Sequence, residues 1–242
     1  MKTIQISKFK SSYLNQIFDS ISSIEVEDMA FDRGNYGEVY ISNKINGKTL
    51  QIQQVVKIFI DDDSGSAKRG LKTIEELQEK IIYTNKELKK INEKPLENVA
   101  ALGALPQFSY EGILDNKPVI GYSANLLNSE KWLLFDKIFN ESDQLKKKKY
   151  RNEFYNLPLK GRLNMASNLA EGFLYLEKMK FVYADLNPKN FFVNQKESQL
   201  CLIDYEGGAV MDSRGNIPET LESLANGLRQ KFKNNCYQVI TG

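Results

Sequence analysis

A change in hydrophobic periodicity near Asn125 divides the chain into a strand-rich half and a helix-rich half. Before the change, apolar residues alternate with polar ones, and Asn46-Gly47 is typical of a two-residue hairpin turn. After it, apolar residues recur at helical spacing. The strand candidates occupy 24–60, where we expect three antiparallel strands, and 107–112 and 118–124. The helix candidates of the second half occupy 129–139 and 159–179. Strands followed by helices indicate an α+β fold.

Four further segments complete the predicted organisation. Residues 8–22 carry apolar side chains at three- and four-residue spacing, which predicts an amphipathic helix, and 67–92 predict a long surface helix. The lysines of 146–149 are expected in a solvated loop, and an amphipathic helix is expected after Pro218. The expected units are an extension over 1–23, a sheet lobe over 24–125 and a helical lobe over 126–242.

Composition excludes several classes of function. With 33 Lys plus Arg against 31 Asp plus Glu, the net charge of +2 indicates neither a nucleic-acid nor a membrane partner. The chain holds no apolar stretch long enough to span a bilayer and no secretion signal of the general type, so we expect it to be cytoplasmic where it is made. Cys201, in an apolar run, is expected to be a buried thiol.

Histidine is entirely absent. This excludes nucleophile–imidazole pairs, zinc sites that use histidine, and histidine general bases. Carboxylate, amide and lysine side chains remain, and these suit Mg²⁺ and phosphate better than Zn²⁺.

The first chemically suggestive segment is Phe31-Asp-Arg-Gly-Asn-Tyr-Gly-Glu-Val-Tyr40, between two predicted strands. Gly34 and Gly37 would let the backbone approach a phosphate, and Val39 would cover a flat apolar base. The same spacing of two glycines also occurs in ordinary hairpins.

The second is Lys57, within the apolar run Gln54-Val-Val-Lys-Ile-Phe-Ile60. A lysine in a buried strand must either reach water or meet an anion. If it is paired, the expected partner is a glutamate on the helix that follows.

The third and most specific is Tyr183-Ala-Asp-Leu-Asn-Pro-Lys-Asn190, followed by two apolar strands that lead to Asp204. This arrangement would bring oxygen ligands for Mg²⁺ to one site, from Asp185, Asn190 and Asp204, with a carboxylate as the available base. A turn stabilised by Asn and Asp side chains is the alternative for the first loop.

Together these segments resemble the protein-kinase superfamily, whose glycine-rich loop, lysine strand, catalytic loop and metal-binding aspartate occur here in the family's order, from about Ile24 to Gly208. The resemblance implies a two-lobed fold, with an antiparallel sheet and one helix in the first lobe, and it implies ATP and Mg²⁺. Gly34-Asn35-Tyr36-Gly37 would cover the phosphates, Val39 the adenine, and Lys57 the α and β phosphates.

The resemblance also implies roles in the second half. Asp185 would orient and deprotonate the acceptor hydroxyl, Lys189 would reach the transferred phosphate, and Asn190 and Asp204 would hold Mg²⁺. The helix glutamate that pairs with Lys57 would be Glu79 or Glu87, and the sequence ranks them equally.

The chain departs from the family at several positions. Asp32 replaces the first glycine of the loop, Tyr183-Ala184 replaces His-Arg, and Glu206 replaces the glycine of Asp-Phe-Gly. Without an arginine at 184, control by a phosphorylated activation loop is not expected. No Ala-Pro-Glu motif follows Asp204, which implies a reduced helical lobe.

The chain also resembles, more loosely, short bacterial effector kinases. This resemblance implies a protein substrate in a host cell, an activating partner protein and export by a specialised system.

Three functions are therefore expected in order of preference. The first is ATP-dependent phosphorylation of Ser or Thr hydroxyls of proteins. The second is a small-molecule kinase of the choline or aminoglycoside phosphotransferase type, since Leu202-Ile-Asp-Tyr-Glu206 also resembles the metal-binding segment of those enzymes. The third is a non-catalytic kinase-like module, because Asp32 and Glu206 would add negative charge near the phosphates.

Overall fold

The structure, a computed structural model, describes residues 1–11, 20–34, 37–60, 65–212 and 214–216. The fold is mixed α+β, with a large antiparallel sheet and four α-helices in the part described. The strands are β1 (Lys2–Ser11), β2 (Ser23–Val26), β3 (Asp32–Gly34), β4 (Gly37–Ile45), β5 (Lys48–Phe59), β6 (Pro106–Leu114), β7 (Lys117–Asn125), β8 (Leu133–Leu134), β9 (Phe181–Val182), β10 (Phe191–Asn194), β11 (Gln199–Leu202) and β12 (Ala209–Val210). The helices are α1 (Ser66–Lys90), α2 (Lys137–Asn140), α3 (Gln144–Tyr155) and α4 (Leu159–Lys178).

The large sheet closes on itself. Its order is β2-β1-β6-β7-β5-β4-β3, and β2 also pairs with β4, so that all of these strands except β3 form a ring. The tight turns follow from residues that tolerate positive φ: Asn46 and Gly47 join β4 to β5, and Asp115 and Asn116 join β6 to β7. The turn at Asn46 and Gly47 was predicted.

Alternation along the strands produces two cores. Side chains that point into the ring form one apolar cluster, which includes Ile4, Ile24, Val56 and Tyr110. The second cluster lies on the outer face of the ring, where α1 packs together with the helix-rich half. At β5, both faces of the sheet are thus covered by apolar side chains. A lysine on the outer face of β5 therefore has little access to water.

Two expectations for the first half need correction. Residues 2–11 form β1 in the sheet, although 8–22 were predicted as a helix ahead of it; 12–19 lie outside the described residues. The register of β1 against β6 shifts between Ile6 and Lys8. This bulge puts Ile6 and Phe9, three residues apart, on the same side of the sheet, where both pack against the cluster inside the ring. Most of the apolar spacing that predicted the helix lies over 12–19. The segment 24–60 also contains the short strand β3 in addition to the three strands expected.

The second half differs in two places. Residues 129–139 were predicted as one helix but contain β8 and the short helix α2. The lysines of 146–149 lie on α3, where Asp143 caps the helix by accepting hydrogen bonds from the backbone N–H groups of Leu145 and Lys146, at 2.9 and 3.1 Å. The helix after Pro218 falls outside the described residues.

The predicted helix over 159–179 is confirmed as α4, but several of its leucines do not pack. Leu159, Leu163 and Leu174 are exposed, while Gly172 and Leu176 are buried. A Cβ at Gly172 would lie 2.8 Å from the Cβ of Ala101. Gly172 therefore lets α4 pack closely against the segment that contains Ala101. A pattern of large apolar residues does not indicate such a contact. Within the described residues, no helix is both long and apolar enough to cross a membrane.

Candidate active site

Lys57 lies at the centre of the site, on the outer face of β5. It is paired in register with Val39 of β4 on one side and Tyr122 of β7 on the other. Residues opposite one another on neighbouring strands point to the same face, so Val39, Lys57 and Tyr122 form one row across the sheet. The Lys57 side chain is only 9% exposed. A charged group at this depth requires partners of opposite charge.

The partners come from a single turn after β11, residues 204–207, which we call the Asp204 turn. Asp204 has φ of 59°, and this left-handed conformation ends the strand and starts a one-turn 3-10 helix, Tyr205–Gly207. The turn directs two carboxylates at one ammonium. Lys57 Nζ donates to Asp204 Oδ1 at 2.9 Å and also to Glu206 Oε1. Lys57 and Glu206 are 149 residues apart in sequence, so the tertiary fold alone joins them.

Glu206 is held from both sides. Its second oxygen, Oε2, accepts a hydrogen bond of 2.9 Å from the Tyr122 hydroxyl. Its side chain is 10% exposed, whereas that of Asp204 is 41% exposed. Both oxygens of the enclosed carboxylate are thus satisfied by protein groups, while the Asp204 carboxylate remains open to solvent.

The electrostatics of this cluster follow from its burial. Burial alone would lower the pKa of Lys57, but the carboxylates of Glu206 and Asp204 outweigh it and raise that pKa. Burial raises the pKa of Glu206, and the Asp204 charge raises it further, against the opposing effect of Lys57. Burial and the nearby carboxylates also raise the pKa of Tyr122. One cation beside two carboxylates leaves an excess of negative charge.

Asp185 and Asn190 lie together in the loop before β10. The Asn190 amide nitrogen donates to Asp185 Oδ2 at 3.0 Å and to the Asp185 backbone oxygen at 3.1 Å. Asn190 is buried, and Asp185 is exposed. Asn187 shapes the loop by accepting from the backbone N–H of Lys189 at 3.0 Å. The alternative to a functional loop was a turn stabilised by Asn and Asp side chains. In the structure Asn187 forms such a turn, while Asp185 and Asn190 contact each other.

Tyr183 joins this loop to the Asp204 turn. Its hydroxyl donates to the backbone oxygen of Ile203, and its ring packs edge-on against Tyr205, with centroids 5.6 Å apart. Burial, and then the charges of Asp204, Asp185 and Glu206, raise the pKa of Tyr183. A Cβ added at Gly207 would lie 3.8 Å from the Cβ of Asp185. Asp185 thus lies next to the turn that carries Asp204 and Glu206.

The glycine pair closes the β3–β4 hairpin, with Gly34 and Gly37 opposite each other. A Cβ at Gly37 would lie 2.5 Å from the backbone oxygen of Ile58. Close packing of β4 on β5 therefore explains this glycine without a ligand. Asn35 and Tyr36, between the two glycines, lie outside the described residues.

The expected ion pair between Lys57 and a helix glutamate is wrong for this structure. Glu79 accepts from Lys10 Nζ at 2.7 Å, and Glu87 accepts from Lys90 Nζ at 2.7 Å. Both glutamates lie on the solvent side of α1, with side chains 66% and 45% exposed. The reason is the helical phase, since the face of α1 that packs on the sheet presents Gly70, Leu71, Ile74 and Leu77.

Three residues of this site were not identified as functional from the sequence. Glu206 was noted as a departure that adds negative charge, but its pairing with Lys57 was not foreseen. Tyr122 carries no local signal, because its role depends on which strand lies beside β5. Tyr183 was noted only as the replacement of a histidine. Lys189, which was expected near the phosphate, is exposed beside Asn190.

The donor set fits a hard divalent cation. Asp204 offers an open carboxylate, Asn190 an amide oxygen, and the surroundings carry excess negative charge. Among the described residues, no three histidine, cysteine or carboxylate side chains converge to hold a metal by themselves. This is compatible with Mg²⁺, which commonly takes one or two protein ligands and completes its shell with phosphate and water.

Comparisons with protein-family models and with curated proteins both gave no match. The function must therefore be inferred from the residues of the site.

Proposed function

We propose that this protein transfers the γ-phosphate of ATP, with Mg²⁺, to Ser or Thr hydroxyls of protein substrates, and that its fold is the two-lobed arrangement of protein kinases. The observation that carries the proposal is the convergence of Lys57 and Asp204 at 2.9 Å, from segments 147 residues apart. Asp185 and Asn190 adjoin the same turn. The kinase resemblance depends on these four side chains together with the glycine-rich loop.

The chemistry that these residues can perform is positioning and charge neutralisation. Lys57 would hold the α and β phosphates, and Val39, in the same row of the sheet, would contact the base. Asp185, which is exposed and fixed by Asn190, would orient the acceptor hydroxyl and take its proton. Mg²⁺, held by Asp204 and Asn190, would neutralise phosphate charge.

The proposal is tested with γ-labelled ATP and Mg²⁺, using the purified chain alone and with a bacterial or a eukaryotic lysate. We expect label on protein with the wild type and none with Lys57→Ala or Asp204→Asn. The matched controls are Lys10→Ala, which removes a lysine of β1 that pairs with Glu79, and Asp212→Asn, which changes an exposed aspartate after β12. The eukaryotic lysate also supplies the host substrate and activating partner that the effector resemblance implies. Absence of label in every mixture, with no melting shift in Mg-ATP, would contradict the proposal.

One observation favours a second function, a non-catalytic kinase-like module. Lys57 is already bonded to two carboxylates, so a nucleotide phosphate would have to compete for it. In that case Mg-ATP would bind weakly or not at all, and label would not be transferred. No comparable observation favours the small-molecule kinase. A panel of choline and aminoglycosides as acceptors in the same assay tests that alternative.

A further inference from the structure

The helix that packs beside Lys57 offers it no acidic partner. Where α1 meets the Asp204 turn, it presents Gly70, and a Cβ there would lie 3.4 Å from the Phe59 ring and 3.6 Å from the Glu206 Cβ. The two α1 glutamates expected to pair with Lys57, Glu79 and Glu87, instead pair with Lys10 and Lys90. Gly70 of α1 thus lies next to Glu206 of the turn, and the absence of a side chain on Gly70 leaves room for the glutamate.

The two carboxylates on Lys57 differ in how they are held. Glu206 is enclosed, and both of its oxygens bond to protein groups, Lys57 and Tyr122. Asp204 is open and makes its bond through a single oxygen. A ligand can therefore engage Asp204 at little cost, whereas separating Glu206 from Lys57 would leave a buried charge unpaired.

We propose that Glu206 is the residue that positions Lys57 for the nucleotide phosphates, with the Tyr122 hydroxyl fixing Glu206 in turn. This inference rests on the proposed function. The kinase resemblance implies that a glutamate of α1 pairs with Lys57, and here a glutamate of the Asp204 turn takes that role. Glu206 and Tyr122 are positioning residues that act through Lys57. Lysine keeps three donors, so Nζ can bond Glu206 and still donate to phosphate oxygens.

The test measures binding of Mg-ATP, Mg-ADP and adenosine by calorimetry to the wild type and to Glu206→Gln. The matched control is Glu79→Gln, which changes a glutamate that is paired with a lysine but lies on the exposed side of α1. We expect Glu206→Gln to weaken Mg-ATP and Mg-ADP by about tenfold or more, because Lys57 loses a charge-assisted bond. Adenosine has no phosphate, so its affinity should stay within about twofold, which a general loss of structure would not allow.

A double variant tests that Glu206 acts through Lys57. Lys57→Met should weaken Mg-ATP, and adding Glu206→Gln to it should cause no further loss. Tyr122→Phe keeps the ring and removes the hydroxyl, so we expect a smaller loss in the same direction. This variant also serves if Glu206→Gln does not fold.

Two results would overturn the inference while the proposed function stands. If wild type binds Mg-ATP and Glu206→Gln binds it equally well, Glu206 does not position Lys57. If Glu206→Gln binds it more tightly, Glu206 competes with phosphate. If wild type binds no nucleotide, the proposed function fails, and the inference fails with it.

Discussion

Replacing Lys57 with methionine should reveal how strongly the fold depends on the buried ion cluster. Methionine keeps most of the side-chain volume and removes the charge. Glu206, 10% exposed, would then lack its cation, whereas Asp204, 41% exposed, would stay hydrated. Breaking a buried ion pair costs ~3–5 kcal/mol, and since only one of the two carboxylates is enclosed, we expect the lower end, about 3 kcal/mol, at pH 8.

The loss should depend on pH with a definite sign. Lys57 is the group that lowers the pKa of Glu206, so its removal raises this pKa further above the ordinary value of 4.5. A carboxyl with a raised folded-state pKa binds more protons when folded, so stability is retained below the unfolded-state pKa and falls as pH rises through the window above it. The slope is at most about 1.4 kcal/mol per pH unit. Lys57→Met should thus be closer to wild type at pH 5 than at pH 8.

Urea unfolding at both pH values measures this difference. Lys10→Met is the matched control, because it breaks an exposed pair with Glu79 and should cost no more than ~1 kcal/mol at either pH. Adding Glu206→Gln to Lys57→Met should restore most of the stability at pH 8, because the glutamine has no charge. An equal loss at pH 5 and pH 8, without recovery in the double variant, would refute the reasoning.

Three other perturbations have clear expected results. Gly121→Ala would place a Cβ 1.9 Å from the Lys57 backbone oxygen and 2.8 Å from the Tyr110 hydroxyl. Chemical unfolding should therefore show that the free energy of unfolding falls by at least ~2 kcal/mol. In the control Gly103→Ala, the new Cβ would have no atom nearer than 3.6 Å, so the free energy of unfolding should change by less than ~0.5 kcal/mol. Asp185→Asn should lower phosphoryl transfer by ~10²-fold or more and leave Mg-ATP affinity within about twofold, and an unchanged rate would exclude Asp185 as the base. Burial raises the pKa of the Cys201 thiol to about 12, so mass spectrometry should find Cys201 unmodified by iodoacetamide at pH 8 until urea unfolds the protein.

Much of the site could be predicted because its residues are marked by local contrast. Lys57 stands out in an apolar run, and Asp204 follows a second such run after the Asp185 loop. Strand periodicity places such residues at the ends or on the faces of a sheet, and the fold does bring Lys57 and Asp204 together. The roles that the kinase resemblance assigns to them remain predictions.

The partner of Lys57 could not be predicted for a physical reason. The pairing with Glu206 depends on the left-handed conformation of Asp204, which turns the chain back within two residues. No pattern of apolar residues reports that conformation. The pairing expected with α1 failed because a glutamate every few residues is compatible with any helical phase, and the phase is set by which apolar side chains the sheet accepts.

The closed sheet has a consequence for the order in which the chain can fold. The N-terminal strand β1 closes the ring between β2 and β6, and its contact from Ser7 to Glu111 spans 104 residues of sequence. During synthesis, β1 can pair with β2 early, but its other edge stays open until β6 has emerged. An open edge of this kind is a template for pairing with other chains, and contacts of such long separation form slowly. A growing chain should therefore be most exposed to aggregation before the ring closes.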